Sequence, residues 1–469
     1  MKRLKITMTS IVALVTVLGL SGCGGGNSSA VTSGNPQNGG NQNPNTPSTL
    51  YTAFSPLVAT RADVLYKTNG IATGTSEVSN IMVPADSTSN SDFRYEKIDT
   101  FNIYGNYLYF QRRTKYIDSI SILPILSQGT YSTKLSDGST SDLSMPTDPH
   151  TIGVIHGDSI KRVEVNGALY TISGTVNNYG IDKILSDGTR TSIDLSSISP
   201  SAPYLLGSMA SVGNDIYFLT SDSSNVVAPT NTKLVKLGTD TGSLDANIAT
   251  LQNMQIVKMT SRGTKLILLG DVSGTAGLYS YETTTPAIPA VLLDSSVTFG
   301  AKEFVEFNGD LYLISGPNAI TLYKIDLANN NTQVISTSAD EIGYKGSLIY
   351  NNRLYFISDH RLFSLSSTAN QVSMITNTLV NSTANEDAAV VANGKLYFSC
   401  NINTNGLNDM ELCQYDGTSV TTAENINGSG SSYPTQFSNL DGELIFQASP
   451  DGTNNKLYHY DGTTLTVLN

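Results

Sequence analysis

"NNKLYHYDGTTLTVLN", Asn454–Asn469, reads as a strand, a tight turn and a returning strand. Leu457, Tyr458 and Tyr460 give the first strand its apolar and aromatic groups. Asp461-Gly462 supplies the positive φ angles that a tight hairpin turn requires. The phrase is not unique to the end of the chain. It appears as "TKLSDG" (Thr133–Gly138), "KILSDG" (Lys183–Gly188), "KLVKLG" (Lys233–Gly238) and "GLYSYE" (Gly277–Glu282). It recurs as "TLYKID" (Thr321–Asp326), "RLFSLS" (Arg361–Ser366) and "ELCQYDG" (Glu411–Gly417).

Each copy follows a second phrase, a turn leading into an apolar-aromatic strand. Examples are "YGNYLYF" (Tyr104–Phe110), "VGNDIYF" (Val212–Phe218), "FNGDLYL" (Phe307–Leu313), "YNNRLYF" (Tyr350–Phe356) and "ANGKLYF" (Ala392–Phe398). The apolar residues heading these strands are Leu108, Leu169, Ile216, Leu266, Leu311, Leu354, Leu396 and Leu444. Their spacings are 61, 47, 50, 45, 43, 42 and 48. Short strands repeating every ~40–50 residues are the signature of a propeller or an array. Strand residues alternate faces, so runs such as "LYFIS" offer apolar groups to both sides. A sheet sandwiched between two others needs that pattern.

The fold expected is therefore all-β: a β-propeller of eight four-stranded blades, with seven as the alternative. Seven stays open because the long first interval includes an irregular piece around Pro146–Asp158. In the last repeat the four strands fall at about Thr435–Leu440, Glu443–Ala448, Lys456–Asp461 and Thr464–Leu468. "DVLYKTNGIATGTSEVSNIM" (Asp63–Met82) reads as one more second half. It could pair with the last blade, cap an edge or supply strands to the first blade.

Composition agrees. The 469 residues are 39% apolar and only 14% charged, with Ser, Thr, Asn and Gly taking up the difference. That mix suits turn-rich β structure better than helices. The net charge is −12, with a pI near 4.8. The basic cluster "QRRTK" at Gln111–Lys115 is short, and nucleic acid is not an expected partner.

The amino terminus points to an address. "MKRLK" is a positive n-region, and "ITMTSIVALVTVLGL" is an apolar stretch of signal-peptide length. Leu20-Ser21-Gly22-Cys23 then resembles the lipobox of bacterial lipoproteins. The resemblance implies cleavage before Cys23, a diacylglyceryl thioether on its sulfur, and a membrane partner reached through lipid. Several acyl chains anchor stably where one would bind only marginally. Gly rather than Asp at position 24 resembles the pattern of outer-membrane delivery. The segment that follows, Gly24–Leu50, has no charged residue and almost no large apolar one. Such a composition cannot bury enough surface to fold. The domains expected are a signal peptide at 1–22, a lipidated Cys and flexible tether at 23–50, and a propeller at 51–469.

The second half of the repeat resembles the ELWxxDGT repeats of bacterial surface and secreted proteins. Asn393–Thr463 and Val64–Val78 carry that order, with Cys413 and Tyr458 at the Trp position. The resemblance implies a propeller-like domain without an assigned activity.

Few constellations carry chemistry. Asn401, Asn403, Asn405 and Asp409 have the spacing of calcium loops in integrin-like propeller domains, but Asn stands where carboxylates belong. The alternative is a polar hairpin loop. Cys400 and Cys413 flank that loop and could face each other across the hairpin as a disulfide, or sit as buried thiols on opposite faces. Glu303, Asp340 with Glu341, and Glu386 with Asp387 precede innermost strands. They could gather at a channel mouth to bind a cation or a ligand, or stand as solvated loop charges. The histidines, His150, His156, His360 and His459, lack metal-ligand spacing. No catalytic residue, confident metal site or cofactor is expected. The function expected is a membrane-anchored extracytoplasmic lipoprotein whose propeller binds protein or glycan or acts as a scaffold. The alternative is a propeller enzyme acting on polysaccharide through mouth-lining carboxylates.

Overall fold

In the computed structural model the described residues are 30–32, 49–56, 64–78, 95–117, 124–134, 140–142, 162–175, 178–195, 198, 204–221, 233–246, 248, 254–272, 274–297, 301–315, 321–337, 346–358, 361–366, 372–375, 389–402, 409–428 and 430–469. They form nine four-stranded antiparallel sheets, each made of four consecutive strands. Sheet 1 spans 30–77, sheet 2 95–142, sheet 3 163–194, sheet 4 204–245 and sheet 5 254–294. Sheet 6 spans 301–337, sheet 7 347–374, sheet 8 389–424 and sheet 9 435–467.

The sheets stack face to face in sequence order, and the stack closes on itself as a β-propeller. Nine apolar clusters mark nine interfaces. Leu354 and Leu365 of sheet 7 meet Phe307 and Ile314 of sheet 6. Tyr397 and Leu412 of sheet 8 meet Phe437 and Phe446 of sheet 9. The closing contacts put Leu50 and Phe54 of sheet 1 against Leu440, Ile445, Leu457 and Leu468 of sheet 9. The other face of sheet 1 sets Tyr51, Ala53 and Leu65 against Ile103, Leu108 and Phe110 of sheet 2. Burying a Leu or Phe side chain contributes about 1.5–3 kcal/mol, so each interface is a small core of its own.

Burial explains the sequence pattern strand by strand. The second strand of a sheet is covered on both faces. Lys265–Val272 and Lys395–Asn401 therefore read as nearly unbroken apolar runs. The fourth strand is the outer edge, and Arg190–Asp194, Val372–Met374 and Leu465–Val467 are mostly exposed. The first strands approach one another around the axis. Several carry a bulge: register shifts fall between Asp99 and Asn102, Leu206 and Met209, Ile256 and Lys258, Ala301 and Glu303, and Thr435 and Ser438. A bulge bends its strand and re-aims side chains there.

Two expectations need correction. Eight blades were expected, whereas the structure has nine four-stranded sheets. The additional sheet is built from β1 (Ala30–Thr32), β2 (Leu50–Phe54), β3 (Val64–Thr68) and β4 (Ser76–Glu77). Val64–Val78 neither joins the last blade nor caps an edge. It pairs with Leu50–Phe54 to make a sheet between sheets 9 and 2. In addition, Ala30–Thr32 and Leu50 fall inside the stretch expected as tether, yet both enter this sheet. A ladder strand needs only backbone donors and acceptors, which an uncharged Ser/Thr/Gly-rich segment possesses as fully as any other.

Candidate functional site

The two ends of the ring differ in construction. One end, the turn face, carries the tight connections. Asn166-Gly167, Asn308-Gly309, Asn351-Asn352, Asn393-Gly394 and Asp441-Gly442 all take positive φ at both residues, the geometry of a two-residue hairpin turn. The turns between third and fourth strands lie on the same end, including Asp187-Gly188, Asp416-Gly417 and Asp461-Gly462. The longer connections join strand ends on the opposite end, the loop face, except the one from β1 (Ala30–Thr32) to β2 (Leu50–Phe54), whose joined ends are on the turn face. Rigid strands presenting variable loops on one end are the usual arrangement for recognition.

The turn face is knitted from sheet to sheet. The residue preceding a turn reaches the carbonyl of the second turn residue in the next sheet. Tyr104 Oη donates to Gly167 O, and Arg262 Nη2 donates to Gly309 O. Tyr350 Oη donates to Gly394 O at 2.8 Å. Arg262 also lies 3.5 Å from Glu306. Outer-turn carboxylates accept backbone N–H groups two or three residues on. Asp416 accepts from Thr418 and Ser419, and Asp461 from Thr463 and Thr464. The Thr463 hydroxyl, which donates to Asp461 at 2.7 Å, and these backbone bonds hold both carboxyls below the usual carboxylate range. The phenols of Tyr355 and Tyr397 are pushed up to about 12 by burial between sheets. They stay protonated at neutral pH.

The loop face has its densest described polar construction between sheets 8 and 9. Glu411 is fully buried there. Its Oε2 accepts from Ile426 N at 2.8 Å and Ser432 Oγ at 2.6 Å. Its Oε1 accepts from Ser432 N at 3.0 Å and Asn427 N at 3.4 Å. Burial raises its pKa against the opposing pull of these donors. One carboxylate thus shapes the connection from sheet 8 to sheet 9. Met410, beside it, donates its N–H to Ser431 Oγ at 2.9 Å.

The residues singled out in the sequence fall around this region unevenly. Cys400 and Cys413 are joined by a disulfide with Cα atoms 5.7 Å apart. They sit on neighbouring strands in the apolar layer between sheets 7 and 8, at the base of the 401–409 loop. Asn401 Oδ1 accepts the Asp409 N–H at 3.2 Å, and Ile402 N donates to Asp409 O at 2.9 Å. Asn403 and Asn405 lie outside the described residues. Among the described residues no three of His, Cys, Asp and Glu gather as a metal site. Glu303 lies on the first strand of sheet 6, half-buried, and accepts from Ser347 Oγ of sheet 7 at 3.1 Å. Asp340, Glu341, Glu386, Asp387 and Cys23 lie outside the described residues. His459 Nε2 lies 2.6 Å from Glu443 Oε2 on the strands of sheet 9.

Two further residues carry no motif of their own in the sequence. Glu411 stands within the repeat phrase, and its donors lie 15–21 residues downstream, mostly on the backbone. Lys258, 4% exposed on the first strand of sheet 5, pairs with Leu269 as Glu303 pairs with Ile314. A lysine inside the apolar run "MQIVKMTS" is the signal that could have found it.

No family model and no curated protein sequence matches the chain. Solved structures share the fold at low identity. The β-propeller domain of the Trilobed protease from Pyrococcus furiosus is 11% identical, with a TM-score of 0.32, over 66% of this chain and 94% of that one. BamB from Moraxella catarrhalis is 11% identical, with a TM-score of 0.37, over 66% of this chain and 78% of that one. A puromycin-hydrolyzing peptidase from Mycobacterium tuberculosis is 8% identical, with a TM-score of 0.40, over 78% of this chain. The match spans 52% of the peptidase, about half its length.

Proposed function

We propose that the chain is a bacterial lipoprotein, carried through the envelope, acylated on Cys23 and delivered to the outer membrane. Its propeller acts there as a binding or scaffold module for a protein or glycan. The supporting observation is the unequal construction of the two ends. In sheets 2 to 9 tight turns, several bonded sheet to sheet, occupy one end, and the longer connections occupy the other. A partner is therefore met on the loop face.

The anchor is tested by the mass of the mature N-terminus and by partition of full-length protein into detergent. A diacylglyceryl-modified Cys23 supports the reading, and a mature protein that keeps an unmodified Met1 overturns it. The binding face is tested with a photo-crosslinker in intact envelopes, at Thr453 on the loop face or at Thr418 on the turn face. Adducts from Thr453 alone support the assignment. Adducts from Thr418 alone reverse it. Release of new reducing ends from polysaccharide, lost in Glu303→Gln, would instead establish the propeller as an enzyme.

A further inference from the structure

β1 begins only a few residues after Cys23, and its register sets Ala30 opposite Thr52 and Thr32 opposite Leu50. β2 ends on the loop face. Ser55, the residue after it, donates its N–H to Gln447 Oε1 at 3.0 Å and accepts from Asn455 Nδ2 at 2.8 Å. Asn455 N also donates to Pro56 O at 3.0 Å. Asn455 belongs to the connection between the second and third strands of sheet 9, on the loop face. The antiparallel neighbour of a strand that ends on one face runs away from that face. The chain therefore enters β1 from the loop face. It does so beside the axis, because β1 touches the first strands of sheets 2 and 9.

We infer that β1 sets the orientation of the propeller on the bilayer: the loop face and its channel mouth are held toward the lipid, and the turn face points away. The inference rests on the proposed acylation of Cys23. Its physical content is reach. From Ala30 back to Cys23 the chain can extend at most roughly 25 Å, at about 3.5 Å per residue. A tether running uninterrupted to Leu50 could extend roughly 95 Å and would leave both faces free to meet the membrane. With β1 paired, Ala30 stands at the loop-face end of its strand, so the lipidated cysteine starts from that side. To bring the turn face to the lipid, the short stretch from Cys23 would have to double back past the length of the sheet. The surface so held is a membrane-facing one, and what it meets is the bilayer itself.

The test uses full-length acylated protein on vesicles of phosphatidylethanolamine and phosphatidylglycerol carrying a headgroup-linked quencher. A fluorophore is placed at Thr453→Cys on the loop face or Thr418→Cys on the turn face, both exposed. With Cys400 and Cys413 bonded and Cys23 acylated, the engineered thiol is the free one. Quenching is expected to be greater at Thr453 than at Thr418. Val31→Pro combined with Thr32→Pro leaves β1 at most one ladder donor, at Ala30, because alternate residues of a strand bond to one side. That variant should stay on the vesicles while the ratio returns to unity. Val31→Thr should keep the parent ratio. Equal or greater quenching at Thr418 in parent protein with acylated Cys23 overturns the orientation and leaves the anchor standing. An unchanged ratio in the double proline variant overturns the role of β1. Protein that remains in the aqueous phase with an unmodified Cys23 overturns the anchor, and the orientation with it.

Discussion

Replacing Glu411 with alanine should cost more stability than its single position suggests. The carboxylate is fully buried and accepts from Ile426 N, Asn427 N, Ser432 N and Ser432 Oγ. Glu411→Ala removes the acceptor for all of these at once. Each donor left buried without a partner costs about 1–3 kcal/mol, although Ser432 Oγ can turn to Met410 O, 3.4 Å away. Relief of the buried charge offsets part of the loss, which leaves a net cost of about 3 kcal/mol. The effect is local to the connection between sheets 8 and 9, so amide exchange at Ile426, Asn427 and Ser432 is the sharpest assay. A loss of ~3 kcal/mol raises their opening equilibrium by roughly a hundredfold. Glu411→Gln keeps one acceptor oxygen and should fall between parent and alanine. The pH dependence has a fixed sign. Burial raises the folded pKa above the ordinary Glu value, so the folded state holds its proton where the unfolded chain has lost it. Stability should fall as pH rises through the window above about 4.3, the ordinary Glu value, and Glu411→Gln should flatten that slope. Exchange in Glu411→Ala within about threefold of parent would refute the reasoning, since it would mean the four bonds contribute almost nothing net.

Cys400→Ser with Cys413→Ser opens a link between residues 13 apart and should lower stability by about 3 kcal/mol, read as a shift in the urea midpoint. Tyr350→Phe removes the bond to Gly394 O and should cost about 1 kcal/mol in the same assay. Phe307→Tyr, at the equivalent position of sheet 6, tests whether that bond can be added. Deleting residues 1–78 uncovers the faces of sheets 9 and 2 around Ile445, Leu457, Leu108 and Phe110, and should yield a chain that binds a hydrophobic dye and aggregates.

Much of the architecture was legible because each sheet carries the same local chemistry. Asn-Gly and Asp-Gly pairs fix the tight turns, and doubly covered second strands read as apolar runs. In the last repeat Thr435–Leu440 and Glu443–Ala448 form as expected, while the other two strands are a residue or two shorter. Sheet 1 was not legible as a sheet. β1 and β2 are not joined by a two-residue Asn-Gly turn, and β1 is three residues of a segment whose composition marks it as unable to fold alone. Its place in the ring is decided by tertiary pairing with Leu50–Thr52. The inner end of the sheets was only partly legible for the same reason. Bulges such as the one between Ala301 and Glu303 turn side chains in ways that period-two alternation does not encode. Glu411 shows the limit most clearly, because its partners are mainly backbone N–H groups and no residue type announces them.

The claim on which the rest depends is a closed ring in which an N-terminal sheet fills the gap between the last sheet and the second. Electron cryo-microscopy of the full chain, averaged in views down the axis, tests it most directly. The account predicts nine radial units, one of them formed by the strands within 30–77 and seated between 435–467 and 95–142. Eight units in a closed ring, with 30–77 lying outside it, would contradict the account.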